Sequence, residues 1–291
     1  MRPDVTPFHH APTATWTYVV TDPGTRVAAI IDPVLDYDWR SGRTSAGAAD
    51  KVAEHCRARA LEVRWILETH AHADHLSAAQ HVKSTVGGEV AIGKGIRGVQ
   101  QTFKKLFGLG QEFQPDGQQF DRLLDEGDEL PLGECPVRVL ATPGHTDDSV
   151  SFLIGDAVFI GDTLFMPDSG SARCDFPGGD ATQLYRSVQK LYALPAATRV
   201  FVCHDYSPGG REARCETTIA EQRASNTHIR DGIDEQAYVK MRTDRDATLD
   251  VPNLLIPAVQ VNIRAGHLPP ADADGVRYLR IPLDVFGRAK A

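Results

Sequence analysis

The sequence predicts an α+β fold or a layered αββα sandwich. Apolar runs of strand length alternate with helical patterns along the 291 residues, at mixed spacing rather than as regular βαβ units. A doubly wound parallel sheet is therefore not expected. No shift in composition divides the chain, so we predict one domain over residues 1–291, with a core of about 10–210 and a C-terminal helical extension of about 211–291.

The first part of the chain is predicted to form a hairpin, a helix, a strand and a second helix. Two apolar runs in WTYVVTDPGTRVAAIID are joined by the turn sequence DPG, and PVLDYDWRSGRTS follows as a polar loop. Residues 47–61 carry apolar side chains on one helical face. The strand VRWILET comes next, and a helix is expected from about Leu76 to Gly87.

The next part is predicted to be rich in strands. GEVAIG and VRVLATPGH are predicted strands, with a less regular helix and loop at 94–120 between them. SVSFLIGDAVFIGDTLF is predicted to form a tight hairpin that turns at Gly155. ATQLYRSVQKLYAL has apolar residues at i, i+4 and i+7 and is a predicted helix, TRVFVCH is a predicted strand, and two helical stretches are expected at roughly 211–230 and 234–246.

Charge and composition limit the class of protein. The net charge of −8 argues against nucleic acid as the main partner, since phosphate binding requires a basic face. No apolar run approaches the ~18 residues of a membrane span, and the N-terminus lacks the blocks of a secretory signal. The odd number of scattered cysteines indicates reduced thiols in the cytoplasm: Cys56, Cys135, Cys174, Cys203 and Cys215.

A cluster of potential metal ligands follows the strand in RWILETHAHADHLSAAQH. Further histidines and an aspartate come after apolar runs in TPGHT, FIGDT and VCHDY, where strands would deliver them to one edge of a sheet. Burying these groups without partners would cost several kcal/mol, and one or two transition-metal ions would remove that cost. The candidate ligands are His70, His72, Asp74, His75, His145, Asp162 and His204.

The other histidines and two of the cysteines are expected to be structural. A lone histidine is more often a surface residue or a hydrogen-bonded polar residue than a metal ligand. The remaining six histidines are not part of a cluster of potential ligands: His9, His10, His55, His81, His228 and His267. Cys174 and Cys203 flank candidate site residues, and we interpret them as buried, inert thiols.

The ligand set resembles that of the metallo-β-lactamase superfamily. THAHADH matches its signature, and the histidine, aspartate and histidine at 145, 162 and 204 match its remaining ligand positions over roughly residues 10–210. This resemblance implies an αββα sandwich of the metallo-β-lactamase type, with the metal site at one edge between the sheets.

Downstream segments resemble the persulfide dioxygenases of sulfide detoxification. GDTLFMPDSGSARCDFPGGD is similar to their Arg-x-Asp-Phe loop through Arg173, Asp175 and Phe176, CHDY matches their His-Asp-Tyr, and NIRAG their Asn-x-Arg-x-Gly segment. PVLDYDWRSGRTS resembles most closely a bacterial branch, the β-lactamase-hydrolase-like proteins. Cys174 departs from the threonine that is common in the mitochondrial type, which concerns substrate preference.

The resemblance implies one Fe(II) per chain and oxidation of glutathione persulfide by O2 to sulfite and glutathione. The implied iron ligands are His70, His145 and Asp162, a two-histidine, one-carboxylate set with open positions. Outer groups that orient them would be His72, Asp74, His75 and His204. Arg173 and Arg264 are the expected carboxylate-binding arginines, Tyr206 an expected hydrogen-bond donor, and Asp175 and Phe176 the support of the loop.

Two other functions remain open at this point. A thioester hydrolase of the glyoxalase II kind would use two zinc ions, with His72, Asp74, His75 and His204 at the second metal. A non-catalytic binding module is the third interpretation, and the complete ligand set argues against it. The family tends toward dimers, so a homodimer is possible.

Overall fold

The computed structural model describes residues 2–287, and in this part of the chain the strands and helices form four layers. The strands, in chain order, are β1 (Asp4–His10), β2 (Thr15–Thr21), β3 (Val27–Ile31), β4 (Val34–Asp38), β5 (Arg43–Ser45), β6 (Glu62–Leu67), β7 (Leu76–Ser77), β8 (Glu89–Gly93), β9 (Arg122–Leu124), β10 (Glu129–Leu130), β11 (Val137–Ala141), β12 (Val150–Ile154), β13 (Ala157–Phe159), β14 (Arg199–Phe201) and β15 (Glu216–Thr218). The helices are α1 (Gly47–Ala58), α2 (Ala79–Val86), α3 (Ile96–Leu106), α4 (Ala181–Tyr192), α5 (Ile219–Ser225), α6 (Glu235–Asp246) and α7 (Leu255–Asn262).

Two six-stranded sheets form the centre of the fold. The first has the order β1-β2-β3-β6-β8-β9 and the second the order β10-β11-β12-β13-β14-β15. A small third sheet has the order β5-β4-β7. The mixture of parallel and antiparallel pairs agrees with the predicted α+β class, because the chain does not repeat a single βαβ unit.

Three main apolar clusters lie between the four layers of strands and helices. Each sheet packs on both sides, because successive strand residues face opposite sides of a sheet. In β2, Val20 packs in the cluster between the two sheets, whereas Val19 packs in the cluster under α1, α2 and α3. On the far side of the second sheet, Val158 of β13 packs against Leu184 and Val188 of α4. These layers give the predicted αββα sandwich.

Helix α4 shows how local sequence and packing agree. Asp180 caps its N-terminus by accepting hydrogen bonds from the backbone N–H groups of Thr182 and Gln183 at 2.7 and 3.0 Å. Leu184 and Leu191 are fully buried, as the i, i+4, i+7 pattern predicted. The C-terminal helices pack on the same layers: α5 and α6 contribute to the cluster over the second sheet, and α7 to the cluster over the first.

Three sequence assignments are wrong in part. The predicted polar loop at 33–45 forms the antiparallel pair β4 and β5, closed by a turn in which Asp38 accepts hydrogen bonds from the Arg40 N–H and the Ser41 hydroxyl. The helix predicted at 211–230 begins only at Ile219, because residues 216–218 pair with β14 first. The helix after the histidine cluster begins at Ala79 rather than Leu76, because β7 pairs with β4.

Two features of the structure concern the predicted state of the cysteines and the predicted lack of a membrane span. All five cysteines are free thiols in the structure. None of the helices among the described residues is both long and apolar enough to span a membrane.

Candidate metal centre

The ligand candidates meet at one edge of the two sheets because of strand direction. In the second sheet β11 and β12 are antiparallel, β12 and β13 are antiparallel, and β13 and β14 are parallel, so β11, β13 and β14 point the same way. Their downstream loops deliver one candidate each, and β6 of the first sheet delivers the histidine cluster. His70, His72, His75, His145, Asp162 and His204 are all buried.

One group unites the three predicted iron ligands. The ligand atoms of His70, His145 and Asp162 lie within 4.8 Å of one another. The rings of His70 and His145 are 5.1 Å apart and nearly perpendicular, and His145 Nε2 lies 3.7 Å from Asp162 Oδ2. His70 Nε2 and Asp162 Oδ1 are buried and have no hydrogen-bond partner among the described residues.

A second group shares Asp162. His204 Nε2 lies 3.2 Å from Asp74 Oδ2 and 3.4 Å from Asp162 Oδ1, and the ligand atoms of these three residues lie within 4.8 Å of one another. His75 Nε2 is also buried without a partner in the described part of the chain. The site therefore contains donors for one ion and, beside it, donors for a second.

The outer hydrogen bonds fix which ring nitrogen faces the centre. The Nδ1–H of His145 donates to the backbone carbonyl of Arg173 at 2.7 Å, so Nε2 carries the lone pair. Thr69 donates its hydroxyl proton to Asp32 at 2.9 Å, so its oxygen accepts from the Nδ1–H of His70 at 3.1 Å. In both rings the nitrogen that faces the cluster is thus available as a ligand.

Burial and the neighbouring imidazoles lower the pKa of His70 and of His75 well below the usual value, and burial raises the pKa of Asp162. Neutral imidazoles with unpartnered nitrogens beside a buried carboxylate are a costly arrangement unless a cation completes it. Imidazole nitrogen with carboxylate oxygen is a donor set for iron, zinc and related ions. The residues present therefore fit a metal.

His72 differs from its neighbours because it is paired with carboxylates. Its Nε2 lies 3.0 Å from Asp32 and 3.7 Å from Glu68. Burial alone would lower the pKa of His72, but the two carboxylates outweigh burial and raise it to about 10. Its Nδ1 is buried and lacks a hydrogen-bond partner among the described residues, as Nε2 of His70 does. The predicted place of His72 outside the direct ligands therefore stays a prediction.

Asp32, which the sequence reasoning missed, organises the histidine loop. Its carboxylate accepts hydrogen bonds from the Thr69 N–H at 2.8 Å and the Thr69 hydroxyl, and it contacts His72. The backbone of Asp32 has a φ of 50°, so the chain turns sharply where β3 ends. The available signal was an aspartate before proline at the end of a buried strand, in IIDPV.

The C-terminal segment reaches the site through Asn262 rather than Arg264. The Asn262 amide donates to the carbonyls of His72 and His75 at 2.7 and 2.8 Å and accepts the Ser77 N–H. The Arg264 guanidinium lies 4.7 Å from the Phe113 ring and donates to the carbonyl of Gln260 in α7. Arg264 does not line either cavity beside the metal site, so its predicted substrate contact has no support in this geometry.

The loop that carries Arg173 contacts the metal site by its backbone and by Phe176. Phe176 meets the His145 ring edge-on at 5.4 Å, and the Arg173 guanidinium lies 5.1 Å from the Phe176 ring. Arg173 donates two hydrogen bonds to Asp175 and one to the carbonyl of Asp250. The two-pronged face that we predicted for a substrate carboxylate is therefore engaged by Asp175.

A cavity of about 240 Å³ borders the first ligand group and continues toward a groove of about 1120 Å³. His145, Asp162 and Asp74 form one end of the cavity. Arg173 and Tyr206 line both spaces, and the Tyr206 hydroxyl makes no hydrogen bond to the described residues. A ligand in the cavity can thus reach the metal-site edge and a free phenol.

Gly144 holds the loop that carries His145. Its φ is 134°, and a Cβ at this position would lie 2.2 Å from the backbone nitrogen of Leu184 at the start of α4. Gly144→Ala is therefore expected to lower the free energy of unfolding by about 1–3 kcal/mol and to reduce bound metal. Chemical denaturation and metal analysis measure both. Gly42→Ala is the matched control, since Gly42 has a φ of 69° but no atom within 4 Å of a Cβ; equal metal loss in both variants would contradict the prediction.

Comparison with known proteins agrees with this geometry. The model of the metallo-beta-lactamase superfamily matches residues 10–204. The chain is 52% identical to a probable metallo-hydrolase of Burkholderia pseudomallei, over 96% of this chain and 98% of that protein. It is 48% identical to glyoxylase B2 of Dictyostelium discoideum, over 95% and 96%. It is also 48% identical to a beta-lactamase hydrolase-like protein of Agrobacterium fabrum, over 94% of this chain and 63% of that longer protein.

Among solved structures, ETHE1 from Myxococcus xanthus superposes with a TM-score of 0.72 at 30% identity, over 91% of this chain and all of that one. The mouse protein named persulfide dioxygenase ETHE1 is 28% identical over 88% of this chain and 87% of its own length. The predicted family, its bacterial hydrolase-like branch and the similarity to persulfide dioxygenases are thereby confirmed. With its two packed sheets and the histidine and aspartate cluster at their edge, the chain belongs to the metallo-beta-lactamase superfamily.

Proposed function

We propose that the protein is an Fe(II)-dependent persulfide dioxygenase that acts on glutathione persulfide. In each turnover one persulfide, one O2 and one water would give one glutathione, one sulfite and two protons. The terminal sulfur is oxidised, O2 is reduced, and the sulfur–sulfur bond is broken. Support comes from the site and from the similarity to ETHE1 proteins along nearly the whole chain.

The observation that carries the proposal is the group of His70, His145 and Asp162 beside the cavity. These two imidazole nitrogens and one carboxylate would hold an ion and leave it able to take further ligands. Fe(II) held there would supply the one-electron and O2 chemistry that side chains lack. The chain's own part is to fix the ring orientations through Thr69 and the Arg173 carbonyl and to bind the rest of the substrate.

The residues that would contact the substrate lie around the cavity. The Tyr206 hydroxyl is free to donate a hydrogen bond. Arg173 uses three of its five guanidinium N–H groups within the protein, so two remain for a substrate carboxylate. Asp175 and Phe176 hold this arginine and the loop in place. We propose Arg173 and Tyr206 as substrate-binding residues and leave Arg264 out of the set.

A second function is favoured by one observation. Asp74, Asp162 and His204 form a second group of converging donors, with His75 beside it, and two relatives are named as a metallo-hydrolase and a glyoxylase. Two zinc ions could activate a water molecule there for hydrolysis of a glutathione thioester. Asp162 would then contact both ions.

Metal analysis combined with an oxygen electrode distinguishes the two functions. We expect about one iron per chain after anaerobic loading with Fe(II), and O2 uptake with sulfite formation when glutathione persulfide is added. Two zinc ions per chain, hydrolysis of S-lactoylglutathione and no O2 uptake would refute the dioxygenase. Removal of the metal by a chelator is the control, since uptake must then stop and return with Fe(II). The cytoplasmic location and a homodimer stay predictions.

A further inference from the structure

His228, which we predicted to be a structural histidine, lines the cavity beside the metal-site residues. It follows α5, and its ring packs against Gly170. Gly170 has a φ of 87°, and a Cβ there would lie 2.2 Å from His228 Nδ1. The close approach of the ring therefore depends on glycine at this position, in the loop that leads to Arg173.

The hydrogen bonds of His228 determine its tautomer. The backbone N–H of Ser171 donates to Nδ1 at 2.9 Å, so Nδ1 carries the lone pair and Nε2 carries the proton. The Nε2–H group has no acceptor among the described residues, whereas the Ser171 hydroxyl is engaged with Tyr238 at 2.9 Å. Burial and the charges of Arg242 and Arg245 lower the pKa of His228 to about 4, so the ring stays neutral near pH 7.

Two arginines, Arg242 and Arg245, lie close enough to His228 to act on its charge, in a protein whose net charge is −8. Arg242 is buried and donates to Asp246 at 2.9 Å and to the carbonyl of Ser171 at 3.0 Å, so its charge is largely balanced. Arg245 also lines the cavity, and its side chain has no ion pair within residues 2–287. An unbalanced guanidinium beside a fixed N–H donor favours an anionic oxygen as the ligand atom.

We propose that His228 is a substrate-positioning residue whose Nε2–H donates a hydrogen bond to a carboxylate oxygen of the substrate, in the part of the molecule that does not react. The proposal rests on the proposed function in one respect, namely that the substrate is a glutathione derivative with carboxylates. It assigns to His228 a role in substrate affinity and none in metal binding. The carboxylate lies between this donor and the charge of Arg245.

Binding of glutathione itself, measured by titration calorimetry, tests the proposal without any turnover. His228→Asn keeps a group that can accept the hydrogen bond from the Ser171 N–H but removes the donor at the Nε2 position. His228→Gln has a longer side chain, whose amide N–H can donate from about the position of Nε2. We expect His228→Asn to weaken glutathione binding about tenfold, or about 1.4 kcal/mol, and His228→Gln to recover most of the loss. Metal content should stay unchanged in both variants.

A glutathione diester, which lacks free carboxylates, separates a positioning role from a structural one. The diester should bind the wild type and His228→Asn equally well if His228 donates to a carboxylate. A matched control is His267→Asn, because His267 lines a different cavity and should not affect either ligand. The same tenfold loss for the diester, no loss for glutathione, or no glutathione binding by the wild type would overturn the proposal.

These outcomes are separate from the test of the dioxygenase. If the wild type binds glutathione through His228 but consumes no O2 with the persulfide, the dioxygenase fails and the His228 assignment stands. If O2 uptake and sulfite formation are normal and His228→Asn changes neither glutathione binding nor the KM for the persulfide, the assignment fails and the dioxygenase stands.

Discussion

His70→Ala is expected to reduce bound iron to near zero and to abolish O2 uptake, whereas His72→Ala should retain measurable iron. His70 presents a neutral, unpartnered Nε2 to His145 and Asp162, so its loss removes one of three converging donors. His72 is paired with Asp32 and Glu68, and we predict that it orients the metal ligands rather than binding the metal itself. Loss of such an outer group typically costs about 10–100-fold in metal affinity.

Iron per chain after dialysis, together with the dissociation constant from a competing chelator, measures this difference. His81→Ala serves as the control, because His81 pairs with Asp50 on α1 and lies outside the cluster. If His70→Ala and His72→Ala lose iron equally, His72 is a direct ligand and our division of the histidines is wrong. If neither variant loses iron, the metal binds elsewhere.

Asp32→Asn is expected to destabilise the fold and weaken metal binding at the same time. The Asp32 carboxylate receives the Thr69 N–H and hydroxyl and pairs with His72, all in a buried environment. The amide cannot accept from all of these groups, and breaking a buried ionic pair of this kind typically costs about 3–5 kcal/mol. Asparagine tests the carboxylate more specifically than alanine does, because asparagine tolerates the positive φ of this position.

The free energy of unfolding without metal and the chelator-based metal affinity should both fall, the latter by about 10–100-fold. Asp38→Asn is the control, since Asp38 is an exposed carboxylate that accepts comparable hydrogen bonds in the β4–β5 turn. A loss of stability with unchanged metal affinity would show that Asp32 supports the fold without orienting His70 and His72. An unchanged stability would refute the buried network as a whole.

Much of the fold could be predicted because its signals are local. The hairpin of β2 and β3, the hairpin of β12 and β13, and helix α4 follow from turn residues and apolar periodicity. The segments that were assigned wrongly have sequence patterns that do not favour one type of secondary structure. The β4–β5 pair lies in a polar stretch whose strands gain stability from a neighbouring strand, which no local pattern encodes.

The sequence by itself determined which side chains could be metal ligands, since seven donors follow apolar runs in a known family pattern. The tertiary structure decided how they divide into groups, because strand direction and loop geometry place His145 and Asp162 beside His70. It also placed Asn262 on the carbonyls of the histidine loop, placed Arg264 outside the lining of both cavities beside the site, and brought His228 to the cavity. His228 belongs to no motif, and the NIRAG match alone does not tell which of its side chains faces the site, so only packing reveals these contacts.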